Sequence, residues 1–240
     1  MIKRLLIFSA LIVTGLIAVE MAGLLQLKAN LTNYARYWHE RPTTGEFVYV
    51  ALGDSAAQGI GASRPERGYV GLLTRHIEQQ TGKSVRVVNL SVSGAKITDV
   101  ISKQLPLLKN YQPDLVTVEI GSNDVVRYDA ATFQQQYDHL AAALPPGSVV
   151  SNLPFFGGRI RRDKEVTSAN RVIFAAVAKD KLQLVDLYGE TKQHQSLRNN
   201  SFDLFHPSNR GYKNWEAAFW KVIRPSLLAR QPMTVVKPGQ

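Results

Sequence analysis

The sequence predicts an α/β domain built on a five-stranded parallel sheet with helices on both faces. Three observations carry that expectation. Short apolar, β-branched runs begin at Phe47, Val85, Leu115, Val149 and Leu182, roughly 30–40 residues apart, the length of a strand–helix unit. Helical periodicity fills the intervals between them. The runs read as largely continuous apolar stretches rather than as strict alternation, which is the pattern of strands covered on both faces.

The amino terminus comes first. Met1-Ile2-Lys3-Arg4 precedes residues 5–27, in which Glu20 is the one charged side chain. The uncharged run Leu5–Val19 follows a basic start, as in an export signal. As one helix, residues 5–27 would extend about 35 Å, enough to span a bilayer. Cleavage sites are poor, because Glu20 or Leu16 would fall where a small residue is needed. An uncleaved signal anchor over residues 1–27 is therefore expected ahead of a removed signal peptide. Lys3 and Arg4 favour a cytoplasmic N-terminus, so the rest of the chain would lie outside the cytoplasm, or be secreted if cleavage occurs. Tyr34, Tyr37 and Trp38 read as interfacial aromatics, within a polar linker over 28–45 that ends in Arg41-Pro42-Thr43-Thr44-Gly45.

The strands are expected at Phe47–Leu52, Val85–Leu90, Leu115–Ile120, Val149–Leu153 and Leu182–Leu187. Between them, Val70, Leu73 and Ile77 share a helical face, as do Phe133, Tyr137 and Leu140. Val166, Ile173, Ala176 and Val177 form another, and Tyr212, Trp215, Phe219 and Val222 a last one. The Ile97–Leu108 segment is weaker, because Pro106 interrupts it. A single domain is expected over 46–230, followed by a disordered tail at 231–240 with Pro232, Pro238 and Gly239.

Composition narrows the chemistry. The 240 residues contain no cysteine, which excludes disulfides, thiolate metal sites and a cysteine nucleophile. The net charge is +10, with +2 carried by residues 1–145 and +8 by residues 146–240. A basic carboxyl-terminal part suits anionic lipid or an acidic polymer. Nucleic acid is not expected, since no recognition motif is present and the basic residues are scattered.

In open α/β sheets, sites form at the carboxyl ends of the strands. There the sequence places Gly53-Asp54-Ser55-Ala56, Ser91-Val92-Ser93-Gly94 and Gly121-Ser122-Asn123-Asp124, with Asp203-Leu204-Phe205-His206-Pro207 before the last helix. These are the parts of an acyl-transfer site. The Ser55 hydroxyl needs a base, His206 can be that base, and Asp203 can orient it, with Asp124 as a rival. The N–H groups of Ser55 and Gly94 and the Asn123 amide can meet an oxyanion. Simpler readings exist for each: Ser55 as a helix cap, Gly94 as a turn, Asn123 as an Asx turn, Asp54 as a cap or as a shaper of the site.

The four blocks, in this order, resemble the signature blocks of the SGNH/GDSL hydrolase family, over about residues 46–225. The resemblance implies a three-layer α/β/α flavodoxin-like fold with strand order 2-1-3-4-5. It also implies a serine esterase or lipase mechanism without metal or organic cofactor. By position, Ser55 is then the nucleophile, His206 the base, Asp203 its orienter, and Gly94 and Asn123 complete the oxyanion hole. Ala56 stands where many members have leucine. The expected substrate is an acyl ester, either a lipid or lysophospholipid ester or an acyl group on a cell-envelope glycan. Acyl transfer to an alcohol, a cell-wall O-acetyl esterase, and a silent module binding anionic lipid or polymer are the rivals. Arg159, Arg161 and Arg162, after the fourth strand, suggest a basic lip for an anionic substrate or lipid head groups.

Overall fold

The computed structural model describes residues 2–157 and 161–230. Five parallel strands, β1 (Phe47–Gly53), β2 (Val85–Asn89), β3 (Leu115–Glu119), β4 (Val149–Ser151) and β5 (Gln183–Val185), form one sheet in the order β2-β1-β3-β4-β5. The register is continuous through the centre, with Tyr49 opposite Val87 on one side and Leu115 on the other. Side chains alternate across the sheet. Val50, Leu52, Val116, Val118, Ile120 and Val150 enter one apolar layer, and Tyr49, Ala51, Leu115 and Val149 enter the other.

The first layer is covered by α4 (Ile97–Asp99), a π-helical turn (Val100–Gln104), α5 (Leu105–Leu108), α6 (Ala130–Ala143) and α7 (Asp163–Lys179). The second is covered by α2 (Ser55–Gln58), α3 (Tyr69–Thr81), α8 (Leu187–Gln193) and α9 (Asn209–Arg230). The result is the expected three-layer fold. Tyr69 stacks on Phe219 at 4.8 Å, joining α3 to α9, a contact worth about 0.5–1.5 kcal/mol beyond its buried area. Pro106 does not end the segment around it. It sits in the first turn of α5, where no intrahelical donor is required, and the π turn lies just upstream.

The amino-terminal segment departs from expectation. Helix α1 runs without a break from Ile2 to His39, so residues 28–39 of the expected polar linker over 28–45 are helical. Its apolar stretch Ile12–Leu25 is exposed apart from a half-buried Gly23, and α1 is long and apolar enough to cross a membrane. Its carboxyl-terminal half packs on the domain. The Tyr34 hydroxyl donates to the Ala62 carbonyl at 2.7 Å and Trp38 Nε1 donates to the Gln58 carbonyl at 2.9 Å. Tyr34 and Trp38 are therefore buried core residues and not interfacial ones, because each finds both apolar neighbours and a polar partner on the domain. The expected tail at 231–240 lies outside the described residues.

Candidate active site

The carboxyl edge of the sheet gathers the four sequence blocks. Ser55 begins α2 directly after β1. Asp54 caps that helix, its Oδ1 accepting from the Ala56 N–H at 2.9 Å. Across 151 residues of chain, His206 Nε2 lies 2.8 Å from Ser55 Oγ. His206 Nδ1 lies 2.5 Å from Asp203 Oδ2. Asp203 Oδ1 in turn accepts from the N–H groups of Phe205 and His206, both at 3.0 Å. An unbroken chain of hydrogen bonds thus joins carboxylate, imidazole and hydroxyl.

Local backbone makes this possible. Leu204 has φ +56°, a left-handed conformation rare for a leucine, which folds Asp203 back over the next two N–H groups. The loop is held by Ser201 N–H donating to the His206 carbonyl at 2.8 Å. Gly61, φ +93°, lies under it, where a Cβ would sit 2.7 Å from His206 Cβ. That close approach leaves no room for a side chain at this position.

The second group lies beside the serine. Asn123 Nδ2 donates to Asp54 Oδ2 at 3.0 Å and to the Ala95 carbonyl at 2.9 Å. Gly94 holds φ +80° in the turn after β2. Among the described residues, no acceptor takes a hydrogen bond from the N–H of Ser55 or of Gly94. Asp124, the rival orienter, instead accepts from the Ile97 N–H at 3.3 Å and so caps α4.

Electrostatics follow from burial. Burial works against the Asp203 charge, but the hydrogen bond and positive charge of His206 and the two N–H donors bring its carboxyl below the ordinary range. Burial pushes the Asp54 carboxyl up, opposed by the Ala56 N–H and by His206. Burial likewise pushes Asp124 up to about 6.

Two glutamines shape the site without having stood out in the sequence, and a buried acid lies close by. Gln104, buried at the end of the π turn, accepts from the Gly53 N–H at 2.9 Å and donates to the Gly53 carbonyl at 2.8 Å. It thereby clamps the backbone two residues before Ser55. Gln58 donates to the Ser91 carbonyl and accepts from Ser93 Oγ, tying α2 to the Gly94 turn. Nothing in the spacing marks either glutamine. Glu119 gave a visible signal, an acid inside an apolar central run. It is fully buried, with Asp54 and Ser122 as its polar surroundings. Burial, and then the charge of Asp54, push its carboxyl well above the usual range.

Of the three arginines of the expected basic lip, two fall within the described residues. Arg159 lies outside the described residues. Arg161 is exposed, whereas Arg162 pairs with Glu165 at 3.0 Å, at the start of α7, where Asp163 and Glu165 also complement the helix dipole. Nearer the serine, a small pocket bounded by Ser55, His206, Phe156, Phe205 and Trp215 adjoins a cleft of about 310 Å³. Phe155, Phe156, Phe205 and Trp215 give that cleft an aromatic lining, and Phe156 stacks on Phe205 at 5.7 Å.

Comparison with known proteins agrees with this geometry. Residues 51–213 match the model of the GDSL-like lipase/acylhydrolase family. Esterase TesA of Pseudomonas aeruginosa is 31% identical over 148 residues, covering 59% of this chain and 70% of that protein. Among solved structures, TesA superposes with a TM-score of 0.62 at 24% identity, covering 74% of this chain and 98% of that one. A lipase/acylhydrolase from Enterococcus faecalis gives 0.62 at 20% identity, covering 79% and 100%. An acetyl xylan esterase from Geobacillus stearothermophilus gives 0.59 at 21%, covering 73% and 94%. Their fold is the fold described above, and the family match spans every block of the site. The chain belongs to the GDSL-like lipase/acylhydrolase family and is a carboxylic ester hydrolase.

Proposed function

We propose that the chain cleaves carboxylic esters by a serine mechanism, with an acyl-enzyme formed on Ser55. The observation that carries this reading is the continuous Asp203–His206–Ser55 hydrogen-bond chain. In the first half-reaction the Ser55 hydroxyl oxygen attacks the ester carbonyl while His206 Nε2 takes its proton. The proton then passes to the departing alcohol. In the second half-reaction His206 takes a proton from water, whose oxygen attacks the acyl carbon, and Ser55 leaves reprotonated. Asp203 holds Nδ1 and stabilises the imidazolium without itself accepting the proton. The oxyanion is met by the N–H groups of Ser55 and Gly94 and by the Asn123 amide, with Asp54 and Ala95 fixing that amide in place.

The acyl group is a lipid chain in this reading, and the protein is held at a membrane by α1, with its domain outside the cytoplasm. Support comes from the aromatic cleft beside Ser55 and from the exposed apolar stretch of α1. Aryl esters from acetyl to palmitoyl test it, with the full chain in detergent and Ser55→Ala alongside. Turnover lost in the variant, and a preference for longer chains, is the expected result. Turnover retained by Ser55→Ala overturns the serine mechanism. A preference for acetyl overturns the lipid substrate and favours a short acyl group on a glycan.

A further inference from the structure

We infer that the carboxyl edge of the sheet is a membrane-docking face, so that the active site opens onto the phospholipid surface into which α1 inserts. This deepens the reading of a membrane-held ester hydrolase and rests on it.

The course of α1 fixes the orientation. Helix α1 ends at His39, having packed along β2, and the chain then runs to the amino edge of the sheet, where Glu46 N–H meets the Ser84 carbonyl. Toward its amino terminus, the helix passes Gln58 at Trp38 and Ala62 at Tyr34. At Gly23 it reaches the loop of Asp203 and His206, where a Cβ would lie 2.9 Å from the Phe202 ring. Beyond Gly23 the exposed apolar stretch continues past the catalytic edge. A helix that enters a bilayer in this direction brings that edge to the surface first. The amino edge is left on the far side of the domain.

The edge is dressed for such a surface. Outside α1, eight large hydrophobic residues are exposed among the described residues, and five of them lie on loops of this one edge. They are Val92, beside the Gly94 turn, Val126, just after Asn123-Asp124, and Leu197, Phe202 and Leu204, around the Asp203–His206 loop. Leu197 is 75% exposed and Phe202 60%. Scattered exposed apolar residues are ordinary, but their concentration around one mouth is not. Arg198 follows Leu197, and Arg64 and Arg210 flank the Ser63–Asn209 contact on the same edge, all three exposed. Apolar tips beside cationic side chains match the acyl boundary and the phosphates of an anionic phospholipid surface.

The chain has no cysteine, so a single introduced one carries an environment-sensitive fluorophore to a chosen position. Leu197→Cys and Val126→Cys sample two loops of the proposed face, Lys83→Cys the amino edge, and Ile12→Cys the inserted helix. Each full-length variant is labelled and reconstituted into phosphatidylglycerol-containing vesicles, with and without nitroxide lipid. Hydrolysis of a water-soluble aryl ester is measured in the same samples. Docking predicts a several-fold rise in emission, and quenching by nitroxide lipid, at 197, 126 and 12, with neither at 83. Quenching at 12 while 197 and 126 behave like 83 overturns the docking face and leaves the membrane anchor standing. No quenching at 12 overturns both. Absent ester turnover in every labelled protein strikes the hydrolase reading separately, because the fluorescence does not depend on it.

Discussion

Asp54→Asn separates the two duties of a buried carboxylate. In the native protein Oδ1 caps α2 through the Ala56 N–H and Oδ2 holds the Asn123 amide at 3.0 Å. Asparagine can keep the first bond with its carbonyl oxygen. Its amide nitrogen then faces the Asn123 amide nitrogen, donor against donor. The bond lost is one to a carboxylate, worth about 1.5–3 kcal/mol. If that energy positions Asn123 for the oxyanion, kcat falls about 10- to 100-fold, at 1.36 kcal/mol per tenfold. The ceiling is the roughly 10²–10³ of losing an oxyanion donor outright. KM should hold, since the interaction develops with the transition state. Stability should move little at pH 8, because the variant also removes the cost of a buried charge there. The assay is kcat and KM on a soluble aryl ester beside urea unfolding. A folded variant with kcat within about twofold of the parent refutes the reasoning.

Other perturbations have equally definite outcomes. Ser55→Ala should lower kcat by about 10⁴–10⁶ while leaving the urea midpoint nearly unchanged. Gln104→Leu strands the N–H of Gly53, whose carbonyl keeps the Val92 N–H at 3.2 Å, and should cost about 1–3 kcal/mol in urea unfolding. Trp38→Ala should release the carboxyl-terminal half of α1 from the domain at a cost of about 3–5 kcal/mol, read as faster amide exchange over residues 30–39. For pH, the Asp124 carboxyl titrates at about 6 when folded and near 3.8 otherwise, so the folded chain binds its proton more tightly. That stabilisation is complete below the unfolded value and is lost as pH rises through about 6. Urea midpoints from pH 4 to 7 should therefore fall less steeply in Asp124→Asn than in the parent.

Much of this was legible in the sequence because it depends on local rules. Unbroken apolar runs such as Phe47–Leu52 are what a strand covered on both faces requires, and the strand ends are where a site is then looked for. Pro207, which biases His206 toward extended backbone, and the short Asp203–His206 spacing were equally readable. The linker expectation failed for a different reason. The polarity of residues 28–39 reports the solvent face of α1, whereas its docking depends on Tyr34 and Trp38 meeting carbonyls that only tertiary structure supplies. Gln104 was hidden in the same way, since its partner lies 51 residues away in the chain. Leu204, in its left-handed conformation, shows that a strained leucine carries no mark in the sequence until its loop is folded.

The central claim is that Ser55 is the nucleophile of an ester hydrolase driven by His206. The most direct measurement is covalent trapping: the full chain is treated with an alkyl fluorophosphonate, its intact mass is taken, and the modified peptide is sequenced. The account predicts one adduct per chain, on Ser55, accompanied by complete loss of aryl-ester turnover, with no adduct in Ser55→Ala. A chain that hydrolyses aryl esters yet remains unmodified at Ser55, or is modified elsewhere with loss of activity, would contradict it.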